Sequence, residues 1–139
     1  YAKFALELEL PDPFFYGTEK TADVRTASTS PFIWTHTNDG SAPATDLVIT
    51  LEGPLSNPVL RNRNNDVWIQ YVGTIPDGKS VILDTKHFTC LQGADNMISI
   101  VKHGGDAYWM ILDAGDNSMK LETDVVGGKI TLSYYPAFF

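Results

Sequence analysis

The side chains that could do chemistry in this chain are few, and most of them stand in turn sequences. The acids come in two pairs, Asp113 with Asp116 and, further apart, Asp95 with Asp106. Two carboxyls held about 5–10 Å apart across a cleft can hydrolyse a glycosidic bond. These acids, however, lie in Gly-Ala-Asp-Asn (93–96) and Asp-Ala-Gly-Asp-Asn (113–117) or beside a Gly-Gly pair. Such sequences use Asp and Asn for the Asx hydrogen bonds of turns, and that reading outweighs the catalytic one. The same oxygens could hold Ca²⁺, but the spacing and the terminal Glu of an EF-hand are missing. His36, His87 and His103 fit no H-E-x-x-H or Cys/His ligand spacing and read as polar surface or loop residues. Cys90 lies between apolar neighbours in Phe88-Thr89-Cys90-Leu91 and reads as a small buried residue, not a nucleophile. There is no G-x-S-x-G elbow and no phosphate-binding glycine loop. Neither catalysis nor a metal or cofactor is expected.

One group suits recognition. Trp68 follows Arg61, Asn62, Arg63, Asn64 and Asn65, and it alternates with Val67, Ile69 and Tyr71. An exposed indole can stack on a sugar face while neighbouring amides and guanidinium groups bond the hydroxyls. The alternatives are that both faces of this strand are buried, or that the indole meets a partner subunit.

The elements that must position these residues read as strands. Asp46–Leu60 organises the chain. Leu47, Ile49 and Leu51 alternate with Val48, Thr50 and Glu52, which gives one buried face. Gly53-Pro54 stops that ladder, and Ser56-Asn57-Pro58 makes a second corner before Val59-Leu60 starts the return strand. Gly53, Pro54 and Pro58 fix the bend, and Asn57 is expected to cap it on its own backbone. Asp84-Thr85 ends a strand with oxygens free for local bonds. Gly115 and Asn117 permit positive φ in a tight connection. Further strands are expected over Lys3–Leu10, weakly over Thr18–Thr29 as a sheet edge, and over Pro31–Thr35, Val67–Val72, Ser80–Asp84 and Met97–Lys102. Ala107–Leu112, Ser118–Glu122 and Lys129–Tyr135 complete the set. Ile75-Pro76-Asp77-Gly78 reads as a turn with Pro second. Gly127-Gly128 reads as a primed hairpin.

No helical period lasts beyond a turn or two. About nine to eleven strands at spacings of 8–12 residues predict an all-β fold, an antiparallel two-sheet sandwich. The 139 residues fit one domain, 1–139, with 1–17 as a lead-in strand and aromatic turn. A hydrophobic share of 43% against 19% charged is enough for a core. A net charge of −7 argues against nucleic acid and against an anionic membrane surface. No run reaches the length of a membrane span. A single cysteine leaves stability to packing and suits a chain made in a reducing cytosol. The start at Tyr1 suggests the C-terminal part of a longer chain.

Four segments carry a resemblance. Asp12-Pro13-Phe14-Phe15-Tyr16-Gly17 comes early, and Leu51-Glu52-Gly53-Pro54-Leu55-Ser56-Asn57-Pro58 follows the Asn38-Asp39-Gly40 turn. Val81-Ile82-Leu83-Asp84-Thr85 follows Pro76-Asp77-Gly78, and Trp109–Asn117 precedes a last strand ending Tyr134-Tyr135-Pro136. Their order, over nearly the whole chain, resembles the C-terminal domain of the siphophage distal tail (Dit) family. That resemblance implies a galectin-like, jelly-roll type of sandwich with a structural role at the phage tail tip, in the virion. It implies other tail proteins as partners, docking of adhesion or receptor-binding components, and a homo-hexameric ring built by a separate N-terminal domain not visible here. Host-surface saccharide is the alternative partner. The H-x-N-x-R and W-x-x-E residues of galectins are absent, with His36-Thr37-Asn38 the nearest partial match.

Overall fold

Alternating apolar residues recur along most of the chain, so its strands can each bury one face. The computed structural model describes residues 15–16, 20–93, 95–104 and 110–138. The expected strand at 3–10 lies outside them. In chain order the strands are β1 (Phe15–Tyr16), β2 (Thr21–Thr26), β3 (Phe32–Asn38), β4 (Val48–Glu52) and β5 (Leu55–Ser56). Next come β6 (Val59–Asn62), β7 (Val67–Tyr71), β8 (Thr74–Ile75), β9 (Ser80–Asp84) and β10 (Thr89–Gln92). Last are β11 (Asp95–Asn96), β12 (Val101–Gly104), β13 (Gly115–Glu122), β14 (Lys129–Tyr134) and β15 (Ala137–Phe138). A six-stranded sheet has the order β11-β10-β9-β4-β14-β2, and a five-stranded sheet the order β12-β7-β6-β13-β3. Two short ribbons, β1-β15 and β5-β8, complete the set. The paired strands are antiparallel, as an all-β sandwich requires.

The core lies between the two large sheets. Leu47, Ile49, Leu51, Leu83, Ile130 and Leu132 come from the six-stranded side. Leu60, Ile69, Tyr71, Met119 and Leu121 come from the other. Burying each such side chain stabilises by about 1.5–3 kcal/mol. Cys90 is fully buried among them, and burial pushes its thiol up to about 11, so it stays protonated.

The Asp46–Leu60 stretch does more than bend. β4 belongs to one large sheet and β6 to the other, so the double corner carries the chain across the sandwich. Gly53 is needed there because of close approach, not an unusual φ. A Cβ at Gly53 would overlap the carbonyl oxygens of Pro76 and Ile75, and one at Gly128 would overlap that of Glu52.

Five local expectations change. Of the strand expected over Ala107–Leu112, the described residues 110–112 form only an isolated bridge, Leu112 with Ala44. Gly127-Gly128 is not a hairpin, because β13 and β14 lie in different sheets and the connection crosses between them. Met97–Lys102 is broken by one 3₁₀ turn, Ile98–Ile100, because the chain is changing sheets there too. β3 runs past Thr35 to Asn38, held over its full length by β13. The turn after β8 is shifted by one residue: Lys79 N–H donates to Pro76 O, and Gly78 takes φ +83°.

Gly53→Ala should therefore lower stability by about 1–3 kcal/mol or more, since neither backbone can retreat. The exposed neighbour Lys79→Ala should stay within about 0.5 kcal/mol of the parent. Urea unfolding midpoints measure both. Equal midpoints for the two variants would contradict the close-approach account.

Candidate functional site on the outer face of the five-stranded sheet

The register of the five-stranded sheet decides which residues share its outward face. Arg61 stands opposite Trp68, Trp68 opposite Gly104, and Lys120 opposite Arg61. One outward row therefore reads Lys120–Arg61–Trp68–Gly104. The next row, two residues along each strand, reads Glu122–Val59–Gln70–Lys102. Trp68 is half-buried and lies against β12: a Cβ on Gly104 would fall within 3 Å of the Trp68 atoms Nε1, Cε2 and Cζ2. The glycine lets the indole lie down on the strand beside it.

The sequence grouped Trp68 with Arg61, Asn62, Arg63 and Asn64, and the fold separates them. Arg61 stays beside Trp68, and its Nη1–H donates to Asp66 at 2.6 Å. Asn62 turns inward and is fully buried. Its amide donates to Ile111 O (2.7 Å) and to Asn117 Oδ1 (2.9 Å), and its oxygen accepts from Asn64 N–H. Asn64 donates to Asp116 O at 2.7 Å and accepts from Ser118 N–H. Asn65 donates to Ile111 O, and Arg63 is exposed. The asparagines clip the loop onto β13. Gln70, Lys102 and Gly104 join Trp68 instead. Gln70 was legible as the i+2 neighbour of Trp68. Lys102 and Gly104 needed the β7–β12 pairing, which no local signal supplies.

The expected turn residues also find other work. Gly115 does take φ +85°. Asn117 does not take positive φ; it is fully buried on β13. Its oxygen accepts from Asp113 N–H at 2.8 Å, and its amide donates to Asp113 O and Gly115 O. A buried connection needs its backbone groups satisfied, and one amide can serve several of them. Asn57 does take φ +50°, yet its side chain reaches Asp124 Oδ2 at 3.0 Å and not its own backbone. Asp84 accepts from the Lys86 and His87 N–H groups.

Among the described acids, Asp95 and Asp116 stand on different sheets. Asp116 accepts from the Thr37 hydroxyl at 2.7 Å, and Asp95 sits on the far edge strand of the other sheet. Asp106 lies outside the described residues. Among the described residues no cluster of three or more His, Cys, Asp or Glu could hold a metal ion. No helix there is long and apolar enough to cross a membrane.

His36 is the residue the sequence misplaced. It is 4% exposed, on β3, between the two sheets. Nδ1 lies 2.8 Å from Asp23 Oδ2, and Nε2 lies 2.6 Å from the Tyr134 hydroxyl. Asp23 also accepts from Trp34 Nε1–H and Arg25 Nε–H. Burial pushes the Tyr134 hydroxyl far above its ordinary range, so it is a donor. With Asp23 ionised, the tautomer carrying hydrogen on Nδ1 satisfies every partner. β2 and β3 are edge strands of opposite sheets, so this network ties the sandwich together where each sheet ends. The only foresight available was alternation: His36 is two residues from Trp34.

No known family profile and no curated protein matches the chain. Among solved structures it is similar to the Dit protein (gp 19.1) of phage SPP1, described as a paradigm of the hub adsorption apparatus in phages infecting Gram-positive hosts. The TM-score is 0.60 at 15% identity, covering 90% of this chain and 49% of that one. The likeness establishes a shared fold, and the chain spans about half the length of that protein.

The Asp23 carboxyl is raised by burial, but the His36, Arg25 and Trp34 donors together outweigh this and leave it below its ordinary value. A depressed folded pKa stabilises the fold above the unfolded value of about 4, and that contribution is lost as pH falls through the folded value. Asp23→Asn should cost about 1–3 kcal/mol at neutral pH. It should also make stability fall less steeply between pH 5 and pH 2, leaving the similarly lowered Asp84 to supply part of the remaining slope. Thermal unfolding against pH checks this, and an acid limb as steep as the parent's contradicts it.

Proposed function

We propose that this chain is a structural module of a phage tail tip, the C-terminal domain of a distal tail protein of the Dit type. The observation that carries this reading is the shared fold with SPP1 Dit over 90% of the chain. The order of the Pro-Phe-Phe-Tyr-Gly, Gly-Pro-Leu-Ser-Asn-Pro, Leu-Asp-Thr and Leu-Asp-Ala-Gly-Asp-Asn segments supports it independently. In this reading the domain is a docking scaffold for adhesion or receptor-binding components. The full-length protein is made in the host cytoplasm and forms a homo-hexameric ring through another domain, in the virion. Nucleic acid and membrane are not its partners, and the role is not catalytic. Supporting that, the Cys90 thiol is buried and Asn62, Asp116 and Asn117 are engaged in holding the fold. The sandwich is of the galectin-like type.

A second reading, binding of a host-surface saccharide, is favoured by one observation: Trp68 lies down on Gly104 at the outer face, as a platform for a sugar ring would.

Negative-stain imaging of virions with an antibody raised to this chain tests the first reading. Label is expected at the distal end of the tail. Label on the capsid or along the tube, or virions that never bind the antibody after tail-tip exposure, would overturn it.

A further inference from the structure

A groove of about 480 Å³ opens on the outer face of the five-stranded sheet, one row along from Trp68. Its floor is the row Glu122, Val59, Gln70 and Lys102, and one wall is Asn57 with Asp124. The volume lies within the range of about 300–1,000 Å³ typical of small-molecule sites. Seven of its nine lining residues are polar, which disfavours an apolar side chain or a lipid tail as occupant.

The hydrogen bonds inside the groove leave capacity facing outward. The Asn57 amide is fixed on one oxygen of Asp124 at 3.0 Å. The other Asp124 oxygen is not used in that bond. Glu122 makes only a 3.7 Å approach to Lys120. Lys102 is exposed and has no polar partner among the described residues. Carboxylates at one end and an ammonium at the other are separated by three strand spacings, on the order of 14 Å. They cannot neutralise one another directly at that separation. The Asn57–Asp124 wall is already ordered, so little more ordering is needed on binding.

We propose that this groove is a binding subsite for a saccharide chain, continuous with a stacking platform on Trp68. A ring stacked on the indole places its neighbour about two residues along the strands, ~7 Å away, over Gln70 and Lys102. One Gln70 amide N–H donates to Asn57 O at 3.4 Å; its second N–H and Lys102 Nζ donate to ring or hydroxyl oxygens. Glu122 and the outward oxygen of Asp124 accept from hydroxyls on the next ring. The assignment rests on the saccharide reading above and replaces Asn62 and Asn64 by Gln70, Lys102, Glu122 and Asp124 as the hydroxyl-binding set.

An array of purified oligosaccharides probed with the whole chain selects a binder, and that oligosaccharide is titrated into the ¹⁵N-labelled chain. The Trp68 indole N–H and the Gln70 and Asn57 side-chain amides are expected to shift together. Trp68→Ala, Lys102→Ala and Glu122→Gln should each weaken binding about tenfold or more. All three are surface changes, and a dispersed spectrum of each variant confirms that it folds. If a glycan binds and only Trp68→Ala weakens it, the groove assignment is wrong while the saccharide reading stands. If no glycan on the array binds, both are overturned.

Discussion

Each strand of the two large sheets can bury only one of its faces, and everything else in the molecule answers to that constraint. Among the described strands, the chain meets it by crossing between the large sheets six times: β2 to β3, β3 to β4, β4 to β6, β7 to β9, β11 to β12 and β13 to β14. Crossing brings backbone against backbone. At the busiest junction, the corner after β4, the turn after β8 and the loop before β14 all converge. Gly53 lies against Ile75 and Pro76, and Gly128 lies against Glu52, Pro54 and Leu55. Only hydrogen fits between carbonyl groups at such a separation. The glycines follow from the sandwich; they do not create it.

The same crossings strand backbone polar groups inside the protein, away from any ladder. Buried N–H and C=O groups must be paired, and polar side chains do that here. Asn38 donates to Ala42 O and Leu112 O and accepts from Gly40 N–H. The Thr85 hydroxyl accepts from Leu47 N–H and donates to Thr45 O. Asn62 and Asn117 hold the 111–117 connection between them. The Asp23–His36–Tyr134 network does the corresponding job between sheets. These are the buried polar residues that a helix-poor fold with many crossings needs, and they explain why turn-like residues stand in its core.

Local alternation made the strands legible. Leu47-Ile49-Leu51 and Val67-Ile69-Tyr71 were readable as inward faces because period two is a property of the strand itself. So was the sandwich, since closely spaced strands leave no room for crossover helices. What could not be read was which strand pairs with which. Gly127-Gly128 has the composition of a hairpin, and only knowledge that β13 and β14 lie in different sheets removes it. His36 and Asn117 looked like surface and turn residues because one partner of each, Tyr134 and Asn62, lies 98 and 55 positions away. The candidate site failed for the same reason: Arg61 and Trp68 meet across a hairpin, whereas Lys102 and Gly104 reach Trp68 through a pairing that spans more than thirty residues.

The scaffold and saccharide readings are not rivals once their energetics are compared. An open groove leaves its hydroxyl-binding groups in contact with water. Each new hydrogen bond there replaces one to solvent and contributes only about 0.5–1.5 kcal/mol. On the saccharide reading a single copy would bind modestly, at an affinity a glycan array still registers. In the hexameric arrangement proposed above, six such faces would point outward from one rigid hub towards a surface that repeats the same glycan. Linked sites of matching span gain about 10²–10⁴ in avidity without any new contact. If both proposals hold, rigidity would serve recognition as much as architecture. The inward residues and corners that fix the sandwich hold the outward row of Trp68 at a constant spacing, which is what such a gain would require.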